Sequence, residues 1–97
     1  MKNTHSHIEI LKTLIKLFQF TEQFSTSEAC PLNIHRLRTL RVLEDLERYG
    51  VLTRMPFAYK RRHWAFTSSF PINTKSLIAL YEMNKITRKR LERVKRK

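Results

Sequence analysis

The chain has 97 residues, 41% of them apolar, and carries 20 Lys and Arg against 8 Asp and Glu for a formal net charge of +12. That length suits one compact domain with one small core, and six Phe, three Tyr and one Trp supply enough bulk to exclude disorder throughout. The single cysteine, Cys30, excludes an internal disulfide, no apolar run reaches the roughly 18 residues of a membrane span, and Lys2 followed by polar residues is not a signal-peptide layout.

A reducing, cytoplasmic setting is therefore expected, or a nuclear one in a eukaryotic host. The distribution of charge says more than its sum. Up to residue 34, Lys2, Lys12 and Lys16 balance Glu9, Glu22 and Glu28, so the whole excess lies in residues 35–97. A polyanion is the natural partner for such a field; a surface kept charged for solubility is the competing reading.

Residues 5–20 are predicted as a helix. Ile8, Leu11, Ile15 and Phe18 form one apolar row, and Ile10, Leu14 and Leu17 form a second beside it. That arc is wider than one core contact requires, so either the helix is central in the fold or its spare row meets a second subunit. Residues 21–27 form a polar connection interrupted by Phe24. Ser25-Thr-Ser-Glu28 has capping-box spacing, which starts a short second helix near Thr26, and Pro31 limits it. Pro31-Leu-Asn33 is the turn.

A strong helix is predicted from about Ile34 to Tyr49, with Leu37, Leu40, Leu43, Leu46 and Tyr49 as its buried row. Gly50, the only glycine, is its C-terminal stop. Residues 51–55 and 63–67 suit two strands. The basic stretch between them, Pro56 to Arg62, makes a hairpin with a long positive tip. Trp64 and Phe66 are expected to face the core rather than stack on bases. Residues 67–73 are a loop broken by Pro71. From Thr74 to Lys97 the pattern is helical, with Leu77, Leu80 or Tyr81, Asn84, Thr87, Leu91 and Val94 near heptad positions. Its end, Lys85 to Lys97, holds eight basic residues and one acidic; it either contacts phosphates or ends as a frayed helix.

Helix, short helix, turn, long helix and hairpin is the order of a winged helix. Leu43-Glu-Asp-Leu-Glu-Arg-Tyr-Gly-Val-Leu-Thr-Arg54 resembles the exit from that superfamily's third helix. Trp64-Ala-Phe-Thr67 is similar to the end of the wing in MarR-type and related regulators, and Phe24-Ser-Thr-Ser-Glu-Ala29 to the entry into their second helix. The resemblance covers roughly residues 8–67, departing in the short second helix and in a wing tip without glycine. It implies an α+β, mainly α, winged helix-turn-helix, a three-helix core plus a hairpin wing over residues 1–72, to which the helical pattern adds an extra basic helix over 73–97. It also implies a third helix in the major groove and a wing on the flanking backbone.

The residues support the same partner independently. With the leucine row buried, Arg38 and Arg41 lie on the opposite side of the third helix, where Arg pairs bidentately with guanine. Thr39 and Val42 are expected against thymine methyls, and Asn33 and His35 against phosphates at the helix start. Arg36, Arg38 and Arg41 crowd the first half of the helix and Glu44, Asp45 and Glu47 the second, which is the reverse of what the macrodipole favours. The i, i+4 pairs Arg41–Asp45 and Glu44–Arg48 are expected to offset a few tenths of a kcal/mol each. Tyr59, Lys60, Arg61 and Arg62 are the expected backbone or minor-groove contacts of the wing.

The expected function is sequence-specific binding of double-stranded DNA by a small transcriptional regulator. The wide first helix, together with Asn84 as a register residue, suggests a homodimer through the first and last helices. The alternatives are an RNA-binding, replication or architectural protein, and a winged-helix adaptor for an acidic protein. No enzyme is expected. His5, His7, Cys30, His35 and His63 form no recognised zinc spacing, one glycine makes no phosphate loop, and no cofactor, metal or small-molecule substrate is indicated.

Overall fold

The computed structural model describes residues 2–56 and 62–95, with side chains described over 6–56 and 62–85. The elements run α1 (Lys2–Phe20), β1 (Gln23–Ser25), α2 (Thr26–Ala29), α3 (Arg36–Arg48), β2 (Leu52–Arg54), β3 (His63–Phe66) and α4 (Thr74–Lys95). The fold is thus α+β and mainly helical, with a three-stranded antiparallel sheet in the order β1-β3-β2. Among the described residues no helix is long and apolar enough to cross a membrane.

Local sequence signals account for most boundaries. Ser25 caps α2 through a reciprocal capping box: the Glu28 amide donates to Ser25 Oγ at 3.3 Å, and the Ser25 amide to Glu28 Oε1 at 2.9 Å. The helix stops at Cys30, held extended (ψ 114°) ahead of Pro31. Tyr49 caps α3, and Gly50 follows at φ 84°. The Gly50 amide then donates to the Glu47 carbonyl and the Val51 amide to the Leu46 carbonyl, which is a Schellman closure needing a left-handed residue at Gly50. The hairpin register follows, with the Met55 amide donating to the His63 carbonyl at 2.9 Å.

Strand β1 was expected as loop. It is an edge strand pairing Phe24 with Trp64, and it is hard to see in sequence because its three residues carry too short an alternation and overlap the cap of α2. Trp64 on the central strand is fully buried. Its indole N–H donates to Thr26 Oγ1 at 3.0 Å, tying α2 to the sheet. Phe18, Phe24, Phe66 and Phe70 pack edge-on or tilted with centroids 4.6–5.2 Å apart, joining α1, β1, β3 and the loop before α4.

Both apolar rows of α1 are used inside the chain. Ile10, Leu11, Leu14 and Ile15 are buried in the same core as Leu43, Leu46, Leu77 and Tyr81. The helix is therefore central, and its width no longer argues for a second subunit. The first turns of α4 belong to this core too, so the boundary at 72/73 separates no second core. Asn84 turns its amide back to the Leu80 carbonyl at 2.9 Å.

The buried face of α3 differs from expectation. Thr39, Val42, Leu43 and Leu46 are buried, whereas Leu37 is 59% exposed. A row with period three drifts about 60° per step round a helix of 3.6 residues per turn. Leu37 and Leu46 therefore stand on opposite sides, and only the 39/42/43/46 stripe keeps helical spacing. Thr39 is included although its buried hydroxyl has no hydrogen-bond partner among the described residues.

Two stability measurements check this account. Thr39→Val is expected to raise the unfolding free energy by about 1 kcal/mol, because it removes an unsatisfied buried hydroxyl at nearly constant shape; a lower urea midpoint would contradict the burial of Thr39. Gly50→Ala has open space for its Cβ but keeps the positive φ, so a loss of about 1 kcal/mol from backbone strain alone is expected. A neutral result would mean that the turn tolerates a different closure.

Candidate nucleic-acid interface

The outer face of α3 is what its core stripe leaves. Leu37, Arg41, Glu44 and Arg48 recur at helical spacing about opposite Thr39 and Leu46. One flank of this ridge carries Arg38 and Asp45 and meets α1 and α4; the other carries Glu44 and Glu47 and meets the hairpin.

The hairpin flank is held by ion pairs. Arg54 lies 3.1 Å from Glu47 and 3.7 Å from Glu44 while stacking over the Trp64 ring at 5.2 Å, and Arg62 lies 3.8 Å from Glu44. Half-exposed pairs of this kind contribute roughly 0.2–1 kcal/mol each, so their main effect is to orient the strands. On the other flank Tyr81 donates its hydroxyl to Asp45 Oδ2 at 3.1 Å, and Arg48 approaches the same carboxylate at 3.8 Å. The acidic second half of α3 thus has a structural reason: it anchors the hairpin and α4. The expected Arg41–Asp45 and Glu44–Arg48 pairs are replaced by these contacts.

The basic first half is built differently. His35 caps the helix, its Nδ1 accepting from the Leu37 amide at 3.2 Å. That bond requires an unprotonated Nδ1 and leaves Nε2–H as a donor on an exposed ring. Asn33, Arg36 and Arg41 are exposed, and among the described residues Arg36 and Arg41 make no ion pair. Arg38 is half-buried and donates to Ser6 Oγ at 3.1 Å, so it sits on the α1 flank and not on the outer face.

The expected site residues therefore divide. Asn33, His35 and Arg36 lie at the start of α3, and Arg41 lies on its outer face more than one turn further on. Thr39 and Val42 are fully buried and cannot touch a partner, because the assumed leucine row had the wrong phase. Arg62 lies beside the acidic half of α3. Tyr59, Lys60 and Arg61 lie outside the described residues. Leu37 was placed in the core by sequence and is instead at the centre of the outer face; spacing from Leu43 and Leu46 is the signal that finds it. Among the described residues no three His, Cys, Asp or Glu side chains converge to hold a metal.

His7 sits where the three long helices meet, its ring edge-on to Tyr81 at 5.6 Å. Burial holds its pKa below the ordinary histidine value, with Lys85 and Arg38 adding to the shift and Asp45 opposing it. The unfolded chain then binds a proton more readily than the folded one, so stability is full above the ordinary histidine pKa of about 6.5 and is lost as pH falls below it. In thermal unfolding from pH 7.5 to 5, wild type is expected to lose more stability than His7→Gln; parallel curves would contradict this. No family model matches the chain, and no curated protein or solved structure matches it.

Proposed function

We propose that the chain is a winged helix-turn-helix protein that binds double-stranded DNA through the first half of α3. One observation carries the reading. The arginines beside the second half of α3 (Arg48, Arg54 and Arg62) meet carboxylates, whereas Arg36 and Arg41 are exposed without one among the described residues. A helix start that offers unpaired guanidinium groups and the His35 N–H suits a polyanion, since these donors match phosphate oxygens and guanine O6 and N7.

The element order supports the fold assignment. A strand between the first two helices returns to close the sheet on the far side of β3, α2 and α3 are joined by the Pro31 turn, and the β2–β3 hairpin flanks α3 as a wing would. On this reading α3 enters the major groove by its N-terminal half. Glu44, Asp45 and Glu47 are engaged by Arg54, Arg62, Arg48 and Tyr81. The hairpin and the basic end of α4 supply phosphate contacts, and with them most of the salt-dependent affinity. A regulator of transcription is part of the proposal, with specificity residing in the exposed residues from Asn33 to Arg41.

Arg41 and Arg48 share the outer face of one helix and differ in whether a carboxylate is near, so they make the test. For a duplex selected from a random library, Arg41→Ala is expected to cost about 1–3 kcal/mol and relax base preference at one position. Arg48→Ala should cost clearly less. Equal losses, or no duplex binding by wild type at low salt, would contradict the proposal.

A further inference from the structure

Leu37 is a large aliphatic side chain that the core does not use. It stands 59% exposed on the outer face of α3, one helical turn before Arg41 and adjacent to Arg36, both exposed. Its amide is bound by the His35 cap, so its backbone is fixed and its side chain projects from a rigid first turn. A single exposed leucine needs no explanation by itself. This one has Arg36 just before it and Arg41 one turn on along the same face, neither in an ion pair among the described residues, and that defines what it fits. The complementary surface carries negative charge on both sides of a small apolar group, at a spacing set by a helix. A cationic or wholly apolar partner does not suit the arginines, and a surface of carboxylates alone offers nothing to the leucine. The major groove of an A·T step supplies both features, with phosphates along its rims and the thymine C5-methyl on its floor.

We infer that Leu37 is a specificity residue that packs against a thymine C5-methyl group in the major groove. It takes the role that sequence alone assigned to Thr39 and Val42, which the core has consumed. The inference rests on duplex binding by α3 and adds to it the chemical identity of one contacted group. It also gives a reason for an apolar residue at the centre of an otherwise charged face.

The test uses two probes that differ only in that methyl group: alternating dA-dT and dA-dU copolymer duplexes, with affinity measured by fluorescence anisotropy at matched salt. Wild type is expected to bind the dA-dT duplex about fourfold tighter for each methyl contacted, the effect of removing one buried methyl. Leu37→Ala should bind both alike, with unchanged circular dichroism because the side chain lies outside the core. Leu37→Met, which keeps apolar bulk, should keep the preference. Equal binding of both duplexes by wild type overturns the inference and leaves duplex binding standing. Full preference retained in Leu37→Ala also overturns it, since the methyl is then read elsewhere. Failure of wild type to bind either duplex overturns the DNA-binding proposal itself, and this inference with it.

Discussion

A helix of 13 residues can give a core only one stripe, and in this chain the choice of stripe on α3 decides what every other residue of that helix does. Thr39, Val42, Leu43 and Leu46 close the space between α1, α2 and the sheet. Once they are inside, Leu37, Arg41, Glu44 and Arg48 are outside, Arg38 turns to Ser6, and Asp45 turns to Tyr81. Accepting Thr39 into the core leaves a hydroxyl without a partner among the described residues, a cost of about 1–3 kcal/mol that leucines on the neighbouring positions offset by burial. The alternative stripe, beginning at Leu37, would bury Leu37 only by rotating Leu46 towards solvent.

That rotation also sorts the charges. A net charge of +12 on 97 residues is self-repelling, and the fold places three of its eight acids where cations crowd. Glu44 and Glu47 receive Arg54 and Arg62 from the hairpin, and Asp45 receives Arg48 and the Tyr81 hydroxyl. The dipole-opposed order of charge along α3 thus has two causes. The acids are structural. The exposed arginines of the first half meet no carboxylate among the described residues, and for that half of the helix a polyanionic partner is the proposed one.

Much of the backbone was legible because single residues act locally. Ser25 and Glu28 close a cap within one turn, Pro31 ends a helix by its own geometry, and Gly50 takes a dihedral other residues avoid. The wrong parts were those that depend on what lies across the molecule. The α3 leucines recur convincingly in sequence, but their period is three, and only the packing of α1 and the sheet selects the 39/42/43/46 phase. Strand β1 exists because β3 is there to pair with it. The two rows of α1 looked surplus because neither α4 nor α3 can be seen against them in one dimension. Of the candidate site, Asn33, His35, Arg36 and Arg41 were legible from charge and position, whereas Leu37, Thr39 and Val42 were exchanged by the same error of phase.

In the proposed function the exposed first half of α3 is the surface that meets nucleic acid. Amide chemical shifts followed through titration with a mixed-sequence DNA duplex test it most directly. The account predicts the largest changes from His35 to Arg41, with small changes at the opposite end of α1, where Phe18, Thr21, Glu22 and Ile72 line an open groove. Changes concentrated on that groove, with the amides of 35–41 unmoved, would contradict it.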